Sequence, residues 1–209
     1  MSESMFIRLF AGVASDYFDA IPLIPFGQWL LPIGIFLLAV GSYVERNKKV
    51  ETFSLYRYER ASDWWKRHFV KRVLFGMKIA VLLLLIVLAC DIVMGKLSLL
   101  SAELLAKISI LWLLHSISMA AFFVLLDLFP IRRFVPGGIF LLEGVTFMIG
   151  CRICGVSHAM YGMWGMYLRS NLYEKGGFPA GVIIVTEVAL LAAGFVIGRE
   201  YLKKEIDYI

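Results

Sequence analysis

A charged segment, residues 45–72, interrupts an otherwise strongly apolar chain, and this interruption constrains the fold more than any other feature. The 209 residues are 60% hydrophobic and 18% charged, whereas soluble domains are about half apolar and a quarter charged. Long apolar runs flank the segment, and several approach the roughly 20 residues that a helix needs to cross a bilayer. Because the segment is too polar for hydrocarbon, the pattern predicts an all-α, polytopic membrane helical bundle built around it.

The distribution of basic residues predicts how this bundle is oriented. The charged segment holds Arg46, Lys48, Lys49, Arg57, Arg60, Lys66, Arg67, Lys71 and Arg72. Basic residues also follow two later apolar runs, at Arg132–Arg133 and in the tail from Arg199. Because Lys- and Arg-rich loops remain on the cytoplasmic side, we expect all three regions to be cytoplasmic. Membrane orientation also accounts for the formal charge of +5, so we expect no nucleic-acid partner.

The apolar runs predict five full spans in a single domain, residues 1–209. The predicted spans are 21–43, 73–94, 104–129, 134–151 and 181–198. Pro22, Pro25 and Pro32 lie in the first half of the first span, so this half is expected to be irregular or kinked. With five spans the N-terminus lies outside, whereas a hairpin within the first forty residues returns it to the inside. We therefore expect about five to six helices in a multi-pass plasma-membrane protein.

Two regions are too polar or too interrupted to span. Residues 1–20 mix apolar residues with Arg8, Asp16 and Asp19, which predicts either a short interfacial helix or a loosely ordered terminus. Residues 152–180 are amphiphilic but broken by glycine, which favours a re-entrant or surface-lying helical hairpin on the extracellular side.

The second half of the charged segment is predicted to be helical. Ser62 is a suitable N-cap, and Asp63 lies in the first turn, where a carboxylate favours the helix dipole. From there Trp65, Phe69 and Val73 repeat every four residues and form one apolar face. This pattern predicts an interfacial helix with tryptophans at headgroup level that continues into the second span. The alternative is a basic loop that only sets topology or binds anionic lipid.

Three ionisable residues lie inside predicted spans: His115, Glu143 and Glu187. Charged groups at this depth are costly and are by default functional candidates or internally paired groups. They are candidates for a substrate path or a proton relay, and the alternative is that they only lock helix packing. Because Ser116 and Ser118 follow His115, the pattern favours a neutral, hydrogen-bonded interhelical histidine.

The glycine-containing stretch 160–166 carries the remaining candidates for the substrate path, Met163 and Trp164. Methionine adapts to varied apolar partners, so this stretch could form a deformable outer gate or simply an amphiphilic loop.

Cys151, Cys154 and His158 form a sequence pattern that suggests metal or redox chemistry. On a helix these positions share one face, so two thiolates and an imidazole could hold zinc with a fourth ligand, or the thiols could form a redox pair. A location outside the cytoplasm favours oxidation over metal binding. The alternative is a set of small apolar residues at a helix end.

The charged segment carries four short motifs between two apolar helices. They are Glu45-Arg46, Glu51-Thr52, Leu55-Tyr56-Arg57-Tyr58 and Trp64-Trp65-Lys66. This arrangement resembles ABC-2 type permeases, most of all the small permeases of bacterial peptide, bacteriocin and lantibiotic transport systems. The likeness is greatest over residues 34–72 and extends to the rest of the chain in layout. Members of the family usually have six spans, and this chain shows five clear ones.

The resemblance implies that the charged segment contains a coupling helix that docks on a separate ATPase subunit. The residues implied in that contact are Arg57, Tyr58, Glu59, Arg60, Asp63, Trp64, Trp65 and Lys66. The sequence contains no G-x-x-x-x-G-K-[ST] pattern, which is the loop that binds nucleotide phosphates in many ATPases. We therefore expect no catalytic residue or cofactor on this chain, with ATP and Mg²⁺ bound by the partner.

The resemblance also implies a second permease copy or homologue and an amphiphilic substrate, such as a peptide or a lipid-like molecule. Two other functions stay open on the sequence. One is a membrane-embedded redox or metal protein that uses Cys151, Cys154 and His158 together with Glu143. The other is an accessory subunit of a membrane complex without a transport path of its own.

Overall fold

The protein is an all-α membrane protein, as its composition predicts. The computed structural model describes residues 4–14, 22–55, 57–58, 60–129, 134–152 and 158–206. The α-helices in these ranges are α1 Met5–Phe10, α2 Leu23–Leu55, α3 Ala61–Val93, α4 Ala102–Leu126, α5 Val135–Arg152 and α6 Ala180–Ile206. Four of them, α2, α3, α4 and α6, are long and apolar enough to cross a membrane. The apolar helix α5 has 18 residues and is about 27 Å long, slightly less than the roughly 30 Å of bilayer hydrocarbon.

One end of the bundle, here called the basic end, gathers the start of α3 and the ends of α4 and α6. Arg72 in α3 donates a hydrogen bond to Asp127 at the end of α4, with 2.6 Å between Nη1 and Oδ2. The indole N–H of Trp65 donates to the carbonyl of Phe195 in α6 over 2.8 Å. The charged segment and the basic tail therefore share one end, while Arg132 and Arg133 lie outside the described residues.

Helix α2 corrects the expectation that the first half of the first span is irregular. The helix is continuous through Pro32, and Pro25 lies in its first turn, where a missing N–H removes no helical hydrogen bond. Trp29 and Ile33 are fully buried beside Pro32, so neighbouring helices hold this part of the chain in place. The helix also extends to Leu55 and takes in the first half of the charged segment.

Helix α3 begins two residues earlier than predicted and is continuous with the span that follows it. It starts at Ala61 with Arg60 at the N-cap, so Ser62 is not the cap, while Asp63 lies in the first turn as expected. A Cβ atom built on Gly76 would lie 2.7 Å from Cβ of Ala120 in α4. Because a small residue here lets the two backbones approach, α3 and α4 pack closely.

The short helix α1 is buried at the opposite end of the bundle, so residues 4–14 form neither an interfacial helix nor a loose terminus, while the rest of the predicted segment 1–20 lies outside the described residues. The buried carboxylate of Asp91, near the end of α3, accepts hydrogen bonds from Ser4 Oγ at 2.5 Å, Met5 N at 2.9 Å and Phe6 N at 2.8 Å. Phe6 and Phe10 are almost completely buried. The helix enters the bundle because Asp91 satisfies its first N–H groups while its phenylalanines join the core.

The segment between α5 and α6 also lies at this opposite end, because Arg169 Nε donates to the Val13 carbonyl over 2.7 Å. From residue 158 onward it is not the helical hairpin that the sequence predicted. It contains short 3-10 turns, among them Tyr161–Met163 and Tyr167–Arg169. Its centre packs into the bundle rather than over its surface, since Met163 and Met166 are buried.

The Lys/Arg asymmetry predicts that the basic end is cytoplasmic, and cysteine labelling tests this orientation. Asp63→Cys and Gly176→Cys each replace an exposed residue, one at each end of the bundle. On intact cells, a membrane-impermeant maleimide is expected to label Gly176→Cys above the wild-type background, and Asp63→Cys only after permeabilisation. The reverse pattern would contradict the orientation.

Candidate functional site

Helices α4, α5 and α6 each contribute one ionisable side chain to a cluster in the interior of the bundle. His115 Nδ1 lies 2.7 Å from Glu187 Oε1, and His115 Nε2 lies 3.0 Å from Glu143 Oε1. None of the three residues is more than 1% exposed. The structure therefore brings together three residues that the sequence identified separately. They are called the Glu–His–Glu cluster below.

The hydrogen bonds of this cluster restrict where its protons lie. A carboxylate only accepts hydrogen bonds, and a neutral imidazole has one donor and one acceptor nitrogen. Both contacts form if an imidazolium lies between two carboxylates, or if a neutral imidazole lies between a carboxylate and a carboxylic acid. Either arrangement holds two protons and has a net charge of −1.

The buried histidine is hydrogen-bonded between helices, as the sequence predicted. The sequence favoured a neutral, hydrogen-bonded interhelical histidine because Ser116 and Ser118 follow it, and both ring nitrogens of His115 contact glutamates of other helices. Ser118 instead lies 3.2 Å from the hydroxyl of Tyr161. The serines are neighbours of His115 along α4, whereas the partners of the ring are set by packing against α5 and α6.

The turn Tyr161–Gly165 covers the cluster with its backbone. A Cβ atom on Gly165 would lie 2.8 Å from the His115 ring, and one on Gly162 would overlap the backbone carbonyl of Glu143. The Gly162 N–H donates to Thr146 Oγ1 in α5 over 2.9 Å. The Tyr161 ring lies 4.9 Å from the His115 ring. Both glycines are therefore required for the close approach.

The remaining predicted path residues lie beside the cluster rather than in it. Met163 is 1% exposed and packs against Gly150 of α5. Trp164 is partly buried, and its ring stands edge-on to Tyr161. The roles of Tyr161 and of the two glycines were not predicted from the sequence, although the stretch 160–166 contains the spacing Tyr-Gly-x-x-Gly.

An apolar cleft of about 360 Å³ lies between α4, α5 and α6, next to the cluster. Its walls are Phe122, Leu125, Leu142, Leu190, Ala193, Gly194 and Ile197, and its polar atoms come from Ser118, Tyr161 and Trp164. Several wall residues are also exposed on the outside of the bundle. The volume falls in the lower part of the range for small-molecule pockets, so the cleft could take an alkyl chain or an apolar side chain.

At the basic end, the predicted coupling residues separate into a buried pair and an exposed face. Trp64 and Trp65 are 8% and 0% exposed, so their indoles pack between helices, and their depth at headgroup level stays a prediction. Trp65 packs so tightly on α6 that a Cβ atom on Gly198 would overlap its ring. Trp64 donates from its indole N–H to Ser54 Oγ over 3.0 Å, which joins α3 to α2.

The exposed face forms a groove of about 760 Å³, here called the basic groove. It is lined by Arg57, Tyr58, Asp63, Lys66, Arg67, Val70, Lys71 and Leu74. Arg67 stacks on Tyr58, with 5.5 Å between the guanidinium carbon and the ring centroid. Arg60 is exposed nearby, and Glu59 lies outside the described residues. The groove offers several positive charges to a partner.

The cysteine–histidine pattern does not assemble within the described residues. Cys151 is buried, with Arg169 Nη2 at 3.7 Å from its sulfur, and His158 is exposed. Cys154 lies outside the described residues, so a zinc or redox site there stays a prediction. In the part of the chain that the structure describes, no group of three or more His, Cys, Asp and Glu side chains is arranged to hold a metal ion.

Comparisons with protein-family models, with curated proteins and with solved structures found no match to this chain.

Proposed function

We propose that this chain is the membrane-spanning permease subunit of an ATP-driven transporter of the ABC type. A separate ATPase subunit, which binds ATP and Mg²⁺, docks on the basic groove. The observation that supports the proposal best is the packed connection from this groove, through Trp65, to α6. The resemblance of residues 34–72 to the coupling loop of ABC-2 permeases supports the same function.

The connection begins at the exposed start of α3 and reaches two helices of the Glu–His–Glu cluster. The Trp65 indole is fixed on α6 by its hydrogen bond to Phe195 and by contact with Gly198. The buried guanidinium of Arg72 pairs with Asp127 at the end of α4. Because packed interiors transmit strain rather than deform continuously, a displacement of the start of α3 would shift α4 and α6. Energy from ATP could thereby change the packing around the cluster.

The proposed substrate is amphiphilic, such as a peptide or a lipid-like molecule. The apolar cleft supports this class because its walls are hydrocarbon while Ser118 and Tyr161 provide hydroxyl groups. The proposal includes a second permease subunit, either a copy or a homologue, and a place in the plasma membrane in contact with lipid. Anionic lipid alone on the basic groove is the competing explanation for its charge.

Charge reversal in the groove tests the ATPase contact. Lys66→Glu combined with Arg67→Glu is expected to lower the ATP hydrolysis that co-purifies with the tagged chain at least about tenfold. Reversal turns attraction into repulsion across the interface, and a loss of roughly 1.4 kcal/mol in binding is a tenfold change in affinity. The measurement is ATP hydrolysis by the chain purified from membranes of its own host.

The matched control places the same charge change elsewhere at the basic end. Lys203→Glu with Lys204→Glu alters two exposed residues at the end of α6 and is expected to retain the activity. Circular dichroism checks that both variants are folded. The proposal would be wrong if the wild-type chain carried no ATP hydrolysis, or if the groove variant kept all of it.

A further inference from the structure

One oxygen of the Glu–His–Glu cluster has no hydrogen-bond partner within the described residues. Glu143 Oε1 and Glu187 Oε1 both contact the His115 ring, but Glu143 Oε2 is buried and has no such partner. A carboxylate oxygen that is buried without a donor is strongly disfavoured, because charge is removed from water without compensation. A protonated oxygen at the same place leaves only a neutral hydroxyl unsatisfied, which costs much less.

The charges around the cluster favour one further proton. Among the described residues, the titratable groups that face His115 are Glu143 from α5, Glu187 from α6 and Tyr161 from the turn above it. None of these supplies a positive charge to balance the second carboxylate. With two protons the cluster therefore has a net charge of −1 at a depth where an uncompensated charge is expensive.

We propose that the Glu–His–Glu cluster is a proton-binding site that holds three protons in this structure, two on His115 and one on Glu143 Oε2, and that the turn Tyr161–Gly165 is its gate. The third proton comes from water at the opposite end of the bundle and changes the net charge of the cluster from −1 to 0. It leaves both contacts of the His115 ring intact, since Glu143 Oε1 remains an acceptor.

We assign the gate to the turn Tyr161–Gly165 because this turn covers the cluster. Gly165 lies against the His115 ring. Gly162 lies against the Glu143 backbone, and its N–H donates a hydrogen bond to Thr146. The turn is held by few backbone hydrogen bonds, such as that from the Trp164 N–H to the Tyr161 carbonyl at 3.0 Å. Lifting this short segment would open the cluster to water without unfolding a helix. The inference does not depend on the ATPase partner proposed above.

Spectroscopy of the protein in lipid bilayers tests the proton count. Infrared spectra at neutral pH are expected to contain the carbonyl-stretching band of a buried carboxylic acid. Glu143→Gln is expected to remove this band because it removes the acid. Glu187→Gln is also expected to remove it, because the His115 imidazolium and the Glu143 carboxylate are then neutral together without a third proton. His115→Gln is expected to strengthen the band, since two carboxylates then lose their cation. Nitrogen-15 NMR of the histidine ring is expected to show an imidazolium for His115.

Each readout can overturn the proton count. A neutral His115 ring, or the absence of an acid band that depends on Glu143, would contradict the proposed positions of the three protons. The wild-type spectra show whether an imidazolium and a buried acid are present, and Glu143→Asp, which is expected to shift the band rather than remove it, assigns the acid where Glu143→Gln fails to fold.

The gate is tested by the rate at which the acid proton exchanges with deuterium. Gly165→Ala pushes the turn away from the His115 ring and is expected to speed the exchange at least tenfold. Gly176→Ala is the matched control, because a Cβ there meets no atom within 4 Å, and it is expected to exchange at the wild-type rate. Equal rates in both variants would show that the turn is not the gate.

Discussion

Replacing Asp91 by alanine is expected to detach α1 from the bundle and to lower the free energy of unfolding by about 3 kcal/mol. The carboxylate accepts three hydrogen bonds from the start of α1, two of them from backbone N–H groups of Met5 and Phe6. Alanine leaves these buried donors without an acceptor and opens a cavity at the end of α3. The change is measured by unfolding the purified protein with SDS in mixed micelles, together with protease sensitivity of the N-terminus.

Two other substitutions test whether the loss of stability comes from the missing cap of α1 or only from the loss of a negative charge. Asp91→Asn keeps one acceptor oxygen and is expected to lose roughly half as much stability as alanine. Asp63→Ala removes an exposed carboxylate from the same helix and is expected to change stability by less than about 0.5 kcal/mol. If Asp91→Ala unfolded like Asp63→Ala, the cap would not be what holds α1 in the bundle.

Gly198→Ala is expected to separate the start of α3 from α6 and to lower the free energy of unfolding by about 2 kcal/mol. The added methyl group would overlap the Trp65 ring, and this ring is fully buried, so it has little room to move. If the proposed function is correct, ATP hydrolysis by the partner is retained while transport falls, because a movement of α3 is no longer transmitted to α6. Unfolding in SDS and transport by reconstituted vesicles measure the two effects.

Gly181→Ala in the same helix provides a control with the opposite expected sign. A Cβ atom at Gly181 meets nothing within 4 Å, and alanine favours a helix over glycine by up to about 1 kcal/mol. This variant is expected to be slightly more stable than the wild type. Equal shifts in the two variants would rule out the contact with Trp65 as the reason for a glycine at position 198.

The predicted spans were close to the observed helices where an apolar run was long and uninterrupted. The predicted span 104–129 corresponds to α4, and the predicted span 73–94 corresponds to the second part of α3. These predictions depend only on run length and on the exclusion of charge from hydrocarbon. The prediction for the first span was less accurate, because Pro32 disrupts an isolated helix but is tolerated where neighbours pack around it.

The tryptophans at the start of α3 show where a local pattern is ambiguous. A tryptophan beside a basic stretch is equally compatible with the headgroup region and with a helix–helix contact. The contact of Trp65 depends on Gly198, and its hydrogen bond joins residues 130 positions apart. No window of sequence around Trp65 contains that information.

The order of apolar and charged residues was enough to predict a helical membrane bundle with its charges gathered into a few segments, because apolar length and charge decide which residues can enter hydrocarbon. It also marked His115, Glu143 and Glu187 as costly to bury. That these three side chains meet could not be predicted, since they come from three helices and their distances depend on how those helices pack. The same packing decided that α1 lies inside the bundle, because its cap, Asp91, lies near the end of a different helix.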